Sequence, residues 1–217
     1  YLNSAKMGDD LKGYLKSSYV DYRDIYASFI QRSLELVGED SYSTLVTPEN
    51  YMFQSSLEDT REYLLSNSEL IEGAHLSGHS FDMGDRPFTI PIVLRKSQNS
   101  KNLTRFYRMT HDQDEYSSFN EKISGLNTIV NDLRSGSEVK DVFEVKQSTF
   151  EKIEQYPFVY WYGPEILEKF EKGTKFENLV FSQSGAVIGN NSKFLRKIWE
   201  VPSDQIGERY QPWVRSE

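Results

Sequence analysis

Three histidines carry the most versatile side-chain chemistry in this sequence. His75 and His79 stand four residues apart, the spacing at which two side chains on one helix face bind a metal ion, and His111 follows later. The intervening Leu76-Ser77-Gly78 and the strand-like pattern before them argue against a helix. No carboxylate spacing completes a ligand set, so we expect structural histidines and no metal site.

A run of basic residues is the second candidate for chemistry. Six basic side chains and no acidic one fall between residues 86 and 108. Such a run could form a patch that binds nucleic-acid phosphates, or it could be the charged, solvated edge of a sheet. The possible DNA-binding residues in this run are Arg86, Arg95, Lys96, Lys101, Arg105 and Arg108.

An aromatic cluster offers a third kind of chemistry, base stacking. Five rings are found at Tyr156, Phe158, Tyr160, Trp161 and Tyr162. Rings of this kind can stack on nucleic-acid bases. If the segment is a strand, however, alternate side chains face the core, and we expect about half of these rings to pack there.

The composition limits the class of protein. The chain has 217 residues, of which 37% are hydrophobic and 14% aromatic, so it can bury a core that is rich in rings. It has no cysteine, which excludes disulfides, thiolate zinc sites and cysteine nucleophiles. A net charge of −8 argues against a free-standing DNA-binding module. No apolar run is long enough to span a membrane, and we expect a cytoplasmic protein.

The elements that must position these side chains follow from periodicity. Residues 24–37 predict an amphipathic helix, with Asp24 as N-cap and Gly38 after its end. Residues 43–47 predict a strand, and residues 55–65 predict a second helix. Strands are predicted at 70–76 and 88–96. This alternation is typical of the second half of a doubly wound α/β sheet.

The later part of the chain is less regular. A polar turn at residues 97–102 predicts a hairpin or boundary, after which residues 103–109 should form a strand that pairs back. Residues 117–133 predict a helix, and residues 142–145 a strand. Residues 164–172 predict a further helix, because Pro164 suits its first position and Gly173 its end.

Several blocks, taken in order, resemble one known family. Tyr1-Leu2-Asn3-Ser4 is similar to the end of an Asn-Pro-Pro-Tyr motif and the residues after it. Asp24, Tyr26 and Phe29 match the helix that follows such a motif, residues 47–53 the next strand and loop, and residues 57–65 the next helix. Residues 81–82 and 89–95 match the final antiparallel hairpin of the sheet, and Tyr160-Trp161 and residues 185–196 resemble the entry into the target-recognition domain. Together they resemble the N6-adenine DNA methyltransferases of BREX-type phage defence and their type IIG restriction relatives.

The resemblance implies a fold and a set of domains. It implies an α/β fold: residues 1–110 would be the C-terminal half of a class I, Rossmann-like methyltransferase sheet. Residues 111–155 would be a linker or helical connection, and residues 156–217 the start of a target-recognition domain. In the last of these, Ile188-Gly189-Asn190-Asn191 stands where relatives often have Thr-Gly-Asp-Asn. Asn190, Asn191 and Lys193 are further possible DNA-binding residues.

The resemblance also implies an activity. The parent protein would transfer a methyl group from S-adenosylmethionine to N6 of adenine in duplex DNA, with Tyr1 as the catalytic ring that stacks on the extruded base. The cofactor loop is missing from the sequence, so the isolated chain should be inactive, and its open sheet edge could self-associate. A non-catalytic DNA-recognition or scaffold module, and part of a fused restriction endonuclease–methyltransferase, remain as alternatives.

Overall fold

A computed structural model describes residues 2–81, 88–97, 103–110, 116–174, 178 and 195–210 of the chain. It divides into two compact units, Tyr1–Gly173 and Thr174–Glu217. The first unit contains every strand and helix discussed below except two short 3₁₀ helices, Ile198–Glu200 and Ser203–Gln205, which belong to the second. No helix in the described part of the chain is both long and apolar enough to cross a lipid bilayer.

The first half of the large unit alternates helices and strands as the sequence predicts. Helix α1 (Asp9–Ser18), which was not predicted, comes before α2 (Ile25–Glu35) and β1 (Tyr42–Pro48). Two 3₁₀ helices lead to α3 (Glu58–Asn67), which runs directly into β2 (Ser68–His75). Helix α2 forms because one of its faces is apolar: Ala27, Ile30 and Leu34 are all about 1% exposed.

Five strands form one mixed sheet in the order β1-β3-β2-β4-β5. Strand β3 (Thr89–Lys96) lies between β1 and β2 and is antiparallel to both, so β1 and β2 run in the same direction. Strand β4 (Leu103–Arg108) is parallel to β2, and β5 (Val142–Lys146) is antiparallel to β4. The expected α/β fold is confirmed.

One predicted pairing is wrong. The turn after β3 was expected to send β4 back onto β3, but β4 pairs with β2 instead. A strand has only two edges, and both edges of β3 are already occupied by β1 and β2. The ladder between β2 and β3 extends to Gly73 opposite Ile92, just before Pro91, which has no N–H to donate.

The core lies on the sheet and is rich in rings, as the composition suggests. Phe106 and Phe158 are fully buried and Phe150 is 1% exposed. Phe106 stacks on Tyr160 with ring centroids 4.2 Å apart, and Phe150 contacts Phe158 at 4.9 Å. Of the aromatic cluster, Phe158 and Tyr160 therefore pack into the core, as about half of it was expected to do.

Helix α4 (Phe119–Ser135) is well defined at both ends. Ser118 and Glu121 form a reciprocal capping box at its start. Hydrogen bonds from Ser117 and Ser118 lower the pKa of the Glu121 carboxyl. At its end Gly136 adopts a left-handed conformation with φ of 77°, which favours glycine. Helix α5 (Pro164–Lys172) has Pro164 at its first turn and Gly173 after its end, as predicted.

One buried side chain, Gln147, joins the later segments to the first half of the unit. Gln147 accepts a hydrogen bond from Leu70 N at 2.9 Å and donates to the carbonyls of Leu65 and Ser68. It fills the place where the register between β2 and β3 shifts after Leu70. Strand β5 and Gln147 thus belong to the same sheet unit as β1, although the sequence assigned residues 111–155 to a connection.

Candidate functional site

The segment that follows Tyr1 lies against the start of α2. Tyr1 itself lies outside the described residues. Ile25 N donates to Leu2 O at 3.1 Å and Ser4 N donates to Arg23 O at 2.8 Å, so that Asn3 lies opposite Asp24 in a short antiparallel bridge. These bonds fix the path of the chain over Leu2–Ser4.

Asp24 occupies the N-cap position of α2, but its side chain does not cap the helix. The predicted N-cap position is therefore confirmed, although the side chain makes no capping hydrogen bond. Oδ1 of Asp24 is buried and has no hydrogen-bond partner among the described residues, and the same is true of the Tyr26 hydroxyl. Burial, together with the charge of Asp24, raises the pKa of Tyr26. Buried polar atoms of this kind are normally satisfied, so ordered water or a further segment is expected to bind them.

Three parallel strands end in side chains with useful chemistry. Glu49 directly follows β1, His75 is the last residue of β2, and Arg108 is the last residue of β4. Because β1, β2 and β4 run in the same direction, these three residues lie at one edge of the sheet, which we call the carboxyl edge. The carboxyl ends of parallel strands are where open α/β sheets bind ligands.

Two of these residues form a buried hydrogen-bonded chain with a tyrosine. His75 Nε2 lies 2.9 Å from Glu49 Oε2, and His75 Nδ1 lies 2.8 Å from the Tyr160 hydroxyl. Only 7% of the His75 side chain and 16% of the Glu49 side chain are exposed. With a carboxylate on one ring nitrogen and a hydroxyl on the other, the imidazole is held in a fixed orientation.

Aromatic rings surround the hydrogen-bonded residues Glu49, His75 and Tyr160, and one of these rings, Trp161, also contacts Arg108. The His75 ring lies 5.8 Å from Phe53 and 6.2 Å from Trp161 between centroids. The guanidinium carbon of Arg108 lies 5.3 Å above the Trp161 ring. Trp161 and Arg108 are both half-buried, so the cluster joins the core to the surface of the carboxyl edge.

The histidines do not form a metal site in the part of the chain that the structure describes. No group of three or more histidine or acidic side chains there is arranged to hold an ion. His75 ends a strand, whereas His79 lies in a bend with φ of 53°, so the two do not share a helix face. His111 lies outside the described residues.

The described basic residues do not form one patch. Arg95 contacts Glu69 at 2.5 Å, and Arg105 contacts Glu144 at 2.7 Å. Lys96 donates to Val37 O at 3.1 Å. Lys96 lies opposite Ser68 at the start of β2, whereas Arg108 lies opposite His75 at its end, about 23 Å away at ~3.3 Å per residue. Their DNA-binding role stays a prediction. The other candidates lie outside the described residues: Arg86, Lys101, Asn190, Asn191 and Lys193.

Sequence reasoning missed the chain of Glu49, His75 and Tyr160. These residues are separated by 26 and 85 positions, so no local spacing reveals the contact. A weak signal was present, since His75 stands at the end of a predicted strand and Glu49 just after one. Placing the residue that ends each parallel strand on a common edge would have brought the two together.

Comparison with known proteins agrees with the resemblance found in the sequence. Residues 1–81 match the model of the Eco57I restriction-modification methylase family. The chain is 27% identical over 205 residues to the adenine-specific methyltransferase PglX of Lacticaseibacillus casei (strain Zhang), covering 93% of this chain and 16% of that protein. The chain is a relative of the adenine-specific methyltransferases. The resemblance stated from the sequence is thereby confirmed.

A second relative and two solved structures extend this comparison. The adenine-specific methyltransferase BrxX of Escherichia coli O9:H4 (strain HS) is 27% identical over 175 residues, which are 79% of this chain and 13% of that protein. A modification subunit of a putative type I restriction enzyme from Vibrio vulnificus YJ016 is 12% identical with a TM-score of 0.47, covering 69% of this chain and 31% of that chain. A DrdV–DNA complex is 11% identical with a TM-score of 0.48, covering 72% and 16%. The chain thus spans about one sixth of the length of PglX.

Proposed function

We propose that this chain is a piece of a site-specific DNA methyltransferase that modifies N6 of adenine in duplex DNA, in phage defence or restriction-modification. The match of residues 1–81 to the Eco57I methylase family carries the proposal. The relatives PglX and BrxX, both called adenine-specific methyltransferases, support the choice of base. We place the protein in the cytoplasm, where the cell's DNA would be its partner.

Tyr1 has a defined role in this proposal. Its ring stacks on an adenine that has been extruded from the duplex, since an enzyme that acts on an exocyclic amine must take the base out of the stack. The bonds of Leu2 and Ser4 to Ile25 and Arg23 support this role, because they hold the following residues in place. The amide and carbonyl groups of the motif that Tyr1 would complete hold the amine, and no general base is required.

S-adenosylmethionine is the methyl donor in this proposal, but the residues of this chain do not fit its binding site. The sequence has no glycine-rich loop between a strand and a helix with an acidic residue beyond it. The ends of β1 and β2 carry Glu49 and His75, which bond to each other. We therefore expect no measurable affinity of the isolated chain for S-adenosylmethionine. Titration calorimetry that finds micromolar binding to this chain would contradict that expectation.

The decisive experiment compares Tyr1→Ala with Tyr1→Phe in the longer protein. Loss of a stacked ring should cost about 1–3 kcal/mol per base, so Tyr1→Ala should methylate duplex DNA on the order of tenfold or more slowly. Tyr1→Phe should keep most activity, because stacking uses the ring and not the hydroxyl. Cofactor affinity should be the same in both variants, which serves as the control for folding. Methylation by Tyr1→Ala at the parent rate would refute this role for Tyr1.

A further inference from the structure

Three polar atoms at the starts of α2 and α3 are buried without a hydrogen-bond partner among the described residues. They are Oδ1 of Asp24, the hydroxyl oxygen of Tyr26 and Nη2 of Arg61. Buried polar atoms in folded proteins are nearly always bonded, either to protein groups or to ordered water. Three such atoms in one region therefore indicate a site that takes a further polar group.

The starts of the two helices are adjacent. Arg23, one residue before Asp24, donates a hydrogen bond from its guanidinium to Ser56 O. The same guanidinium lies 3.9 Å from Oδ2 of Asp59, which is two residues before Arg61 on α3. These contacts bring the N-cap of α2 close to the first turn of α3.

The donors and acceptors of the three groups are complementary. Nε and Nη1 of Arg61 donate to three backbone carbonyls, which leaves Nη2 as the remaining donor. An ionised Asp24 carboxylate only accepts, whereas the Tyr26 hydroxyl can both donate and accept. Burial raises the pKa of Tyr26, the charge of Asp24 raises it further and the charge of Arg61 lowers it, so both charges reach the hydroxyl.

The size of the gap between these groups favours water as the missing partner. Polar groups that influence one another without bonding directly are commonly bridged by an ordered water molecule. Because the three atoms are already buried within the chain, the group that joins them must be small. A buried water typically bonds about three polar partners, and this site supplies one acceptor, one donor and one hydroxyl that can act as either.

We propose that bound water joins Asp24, Tyr26 and Arg61 in one buried network, and that Tyr26 thereby positions the segment that follows Tyr1. This inference rests on the proposed function. Asp24 lies opposite Asn3 in the short antiparallel bridge, so its main chain is already tied to that segment. Arg61 is fully buried and held by its carbonyl bonds, so the network would anchor the segment to the core.

The first test measures base extrusion and methylation by the full-length protein. Tyr26→Phe removes the hydroxyl and keeps the ring. Tyr63→Phe is the matched control, because Tyr63 is a half-buried tyrosine of α3 that packs against the same core. Extrusion is read from the fluorescence of 2-aminopurine at the target position, and methylation from single-turnover rates at saturating S-adenosylmethionine.

The two variants should differ in rate and in fluorescence. Tyr26→Phe should lower the single-turnover rate about tenfold and reduce the fluorescence change, because a displaced ring at Tyr1 holds the extruded base poorly. Affinity for the duplex should not change, since phosphate contacts supply most of it. Tyr63→Phe should match wild type in all three measurements. Equal losses in both variants would overturn the positioning role.

A double variant tests whether Asp24 and Tyr26 act in the same network. Asp24→Asn keeps the size of the side chain and removes its charge, so it should also lower the rate. Added to Tyr26→Phe, it should cause little further loss, because each change alone already breaks the network. Losses that multiply would show that the two residues act independently, and the network would be refuted.

A crystal structure of the full-length protein tests the water directly. Ordered water should lie within hydrogen-bond distance of Asp24 Oδ1, the Tyr26 hydroxyl and Arg61 Nη2. The structure of Tyr26→Phe should lack the molecule that bonds to the hydroxyl. A side chain or backbone group of another segment in that place would overturn the assignment to water.

The outcomes separate this inference from the proposed function. If wild type methylates adenine and Tyr26→Phe equals it in rate and in fluorescence, the positioning role is refuted and the activity stands. If wild type does not methylate adenine, the proposed function fails and the positioning role with it. In that case the crystal structure still decides whether water joins Asp24, Tyr26 and Arg61.

Discussion

The two edge strands of the sheet, β1 and β5, differ in the kind of side chains that they expose. On β1, Tyr42 is 60% exposed and Val46 is 57% exposed, and Phe29 of the neighbouring α2 is 60% exposed. On β5, the exposed residues are Glu144 and Lys146. Proteins protect a true edge strand with charges and short length, because an apolar edge recruits other strands. Strand β5 is built as an edge, whereas β1 is built like a strand inside a sheet.

The β5 side is also joined to the rest of the unit by buried side chains. Arg61 is fully buried and bonds three backbone carbonyls: Tyr51 O at 2.7 Å, Gln54 O at 2.8 Å and Gln155 O at 2.8 Å. It therefore ties the segment after β1 to the segment that leads to Tyr160 and Trp161. Burial lowers the pKa of Arg61, as expected for a guanidinium removed from water.

This difference shows which side of the sheet is covered by the chain itself and which side is left exposed. Arg61 and Gln147 join the later segments to the rest of the unit, since both bond backbone atoms across long sequence separations. The β1 side has an exposed apolar surface together with the unpartnered Asp24 oxygen and Tyr26 hydroxyl among the described residues. We therefore propose that a further strand covers β1 in the longer protein, and that in the isolated chain a second copy takes its place.

The largest expected effect comes from breaking the link made by Arg61. Arg61→Met should lower the free energy of unfolding by about 3–5 kcal/mol, because a fully buried guanidinium is lost and three backbone carbonyls lose their donor at once. Denaturation by urea, followed by tryptophan fluorescence, measures the change. Arg32→Met is the matched control: Arg32 forms an exposed pair with Glu35 on α2, and its loss should leave the midpoint unchanged. Equal effects of the two variants would show that Arg61 is not a link.

The open β1 edge predicts self-association of the isolated chain. Val46→Lys places a charge on the exposed face of β1, and a charge on an edge opposes pairing with another strand. We expect the dissociation constant for self-association to rise by about tenfold, which corresponds to ~1.4 kcal/mol. Sedimentation equilibrium of wild type and Val46→Lys measures this, while stability in urea should not change.

A control with the same charge elsewhere makes this measurement specific. Asn127→Lys adds one positive charge at an exposed position of α4, which is a helix and not an edge strand of the sheet. It should self-associate like wild type. If wild type is monomeric at high concentration, or if both variants dissociate equally, the proposal that β1 seeks a partner fails.

The sequence predicted the elements that depend on local periodicity. Helix α2 and strands β1, β2 and β3 were found within two residues of their observed ends, because local periodicity and the turn residues between them mark these elements. The partner of β4 was wrong, since pairing depends on which strand edges remain free after the whole sheet has formed. Asp24 stands at the N-cap position of α2 as predicted, although its side chain makes no capping hydrogen bond.

The candidate site was harder to predict than the fold. The bond between Glu49 and His75 and the contact between Arg108 and Trp161 each join residues that are far apart in the chain. From residue type alone, His75 was expected to be a structural histidine, and Arg108 belonged to a run that could form either a phosphate patch or a charged sheet edge. Only the parallel direction of β1, β2 and β4 shows that the two belong to one edge.

The smallest expected effect tests whether the charges on β5 protect the edge or stabilise the fold. Glu144 pairs with Arg105 at 2.7 Å, and both side chains are more than a third exposed. Exposed pairs contribute about 0–1 kcal/mol, and salt screens them. Glu144→Gln should therefore change the free energy of unfolding by less than about 0.5 kcal/mol. Any difference from wild type should disappear in urea titrations at high salt.

Glu144→Val removes the charge and adds an apolar side chain, so it should instead begin to self-associate, as we expect of the β1 edge. A loss of stability in Glu144→Gln as large as that in Arg61→Met would mean that the pair holds β5 in the sheet. In that case, the two edges would differ in stability and not in protection.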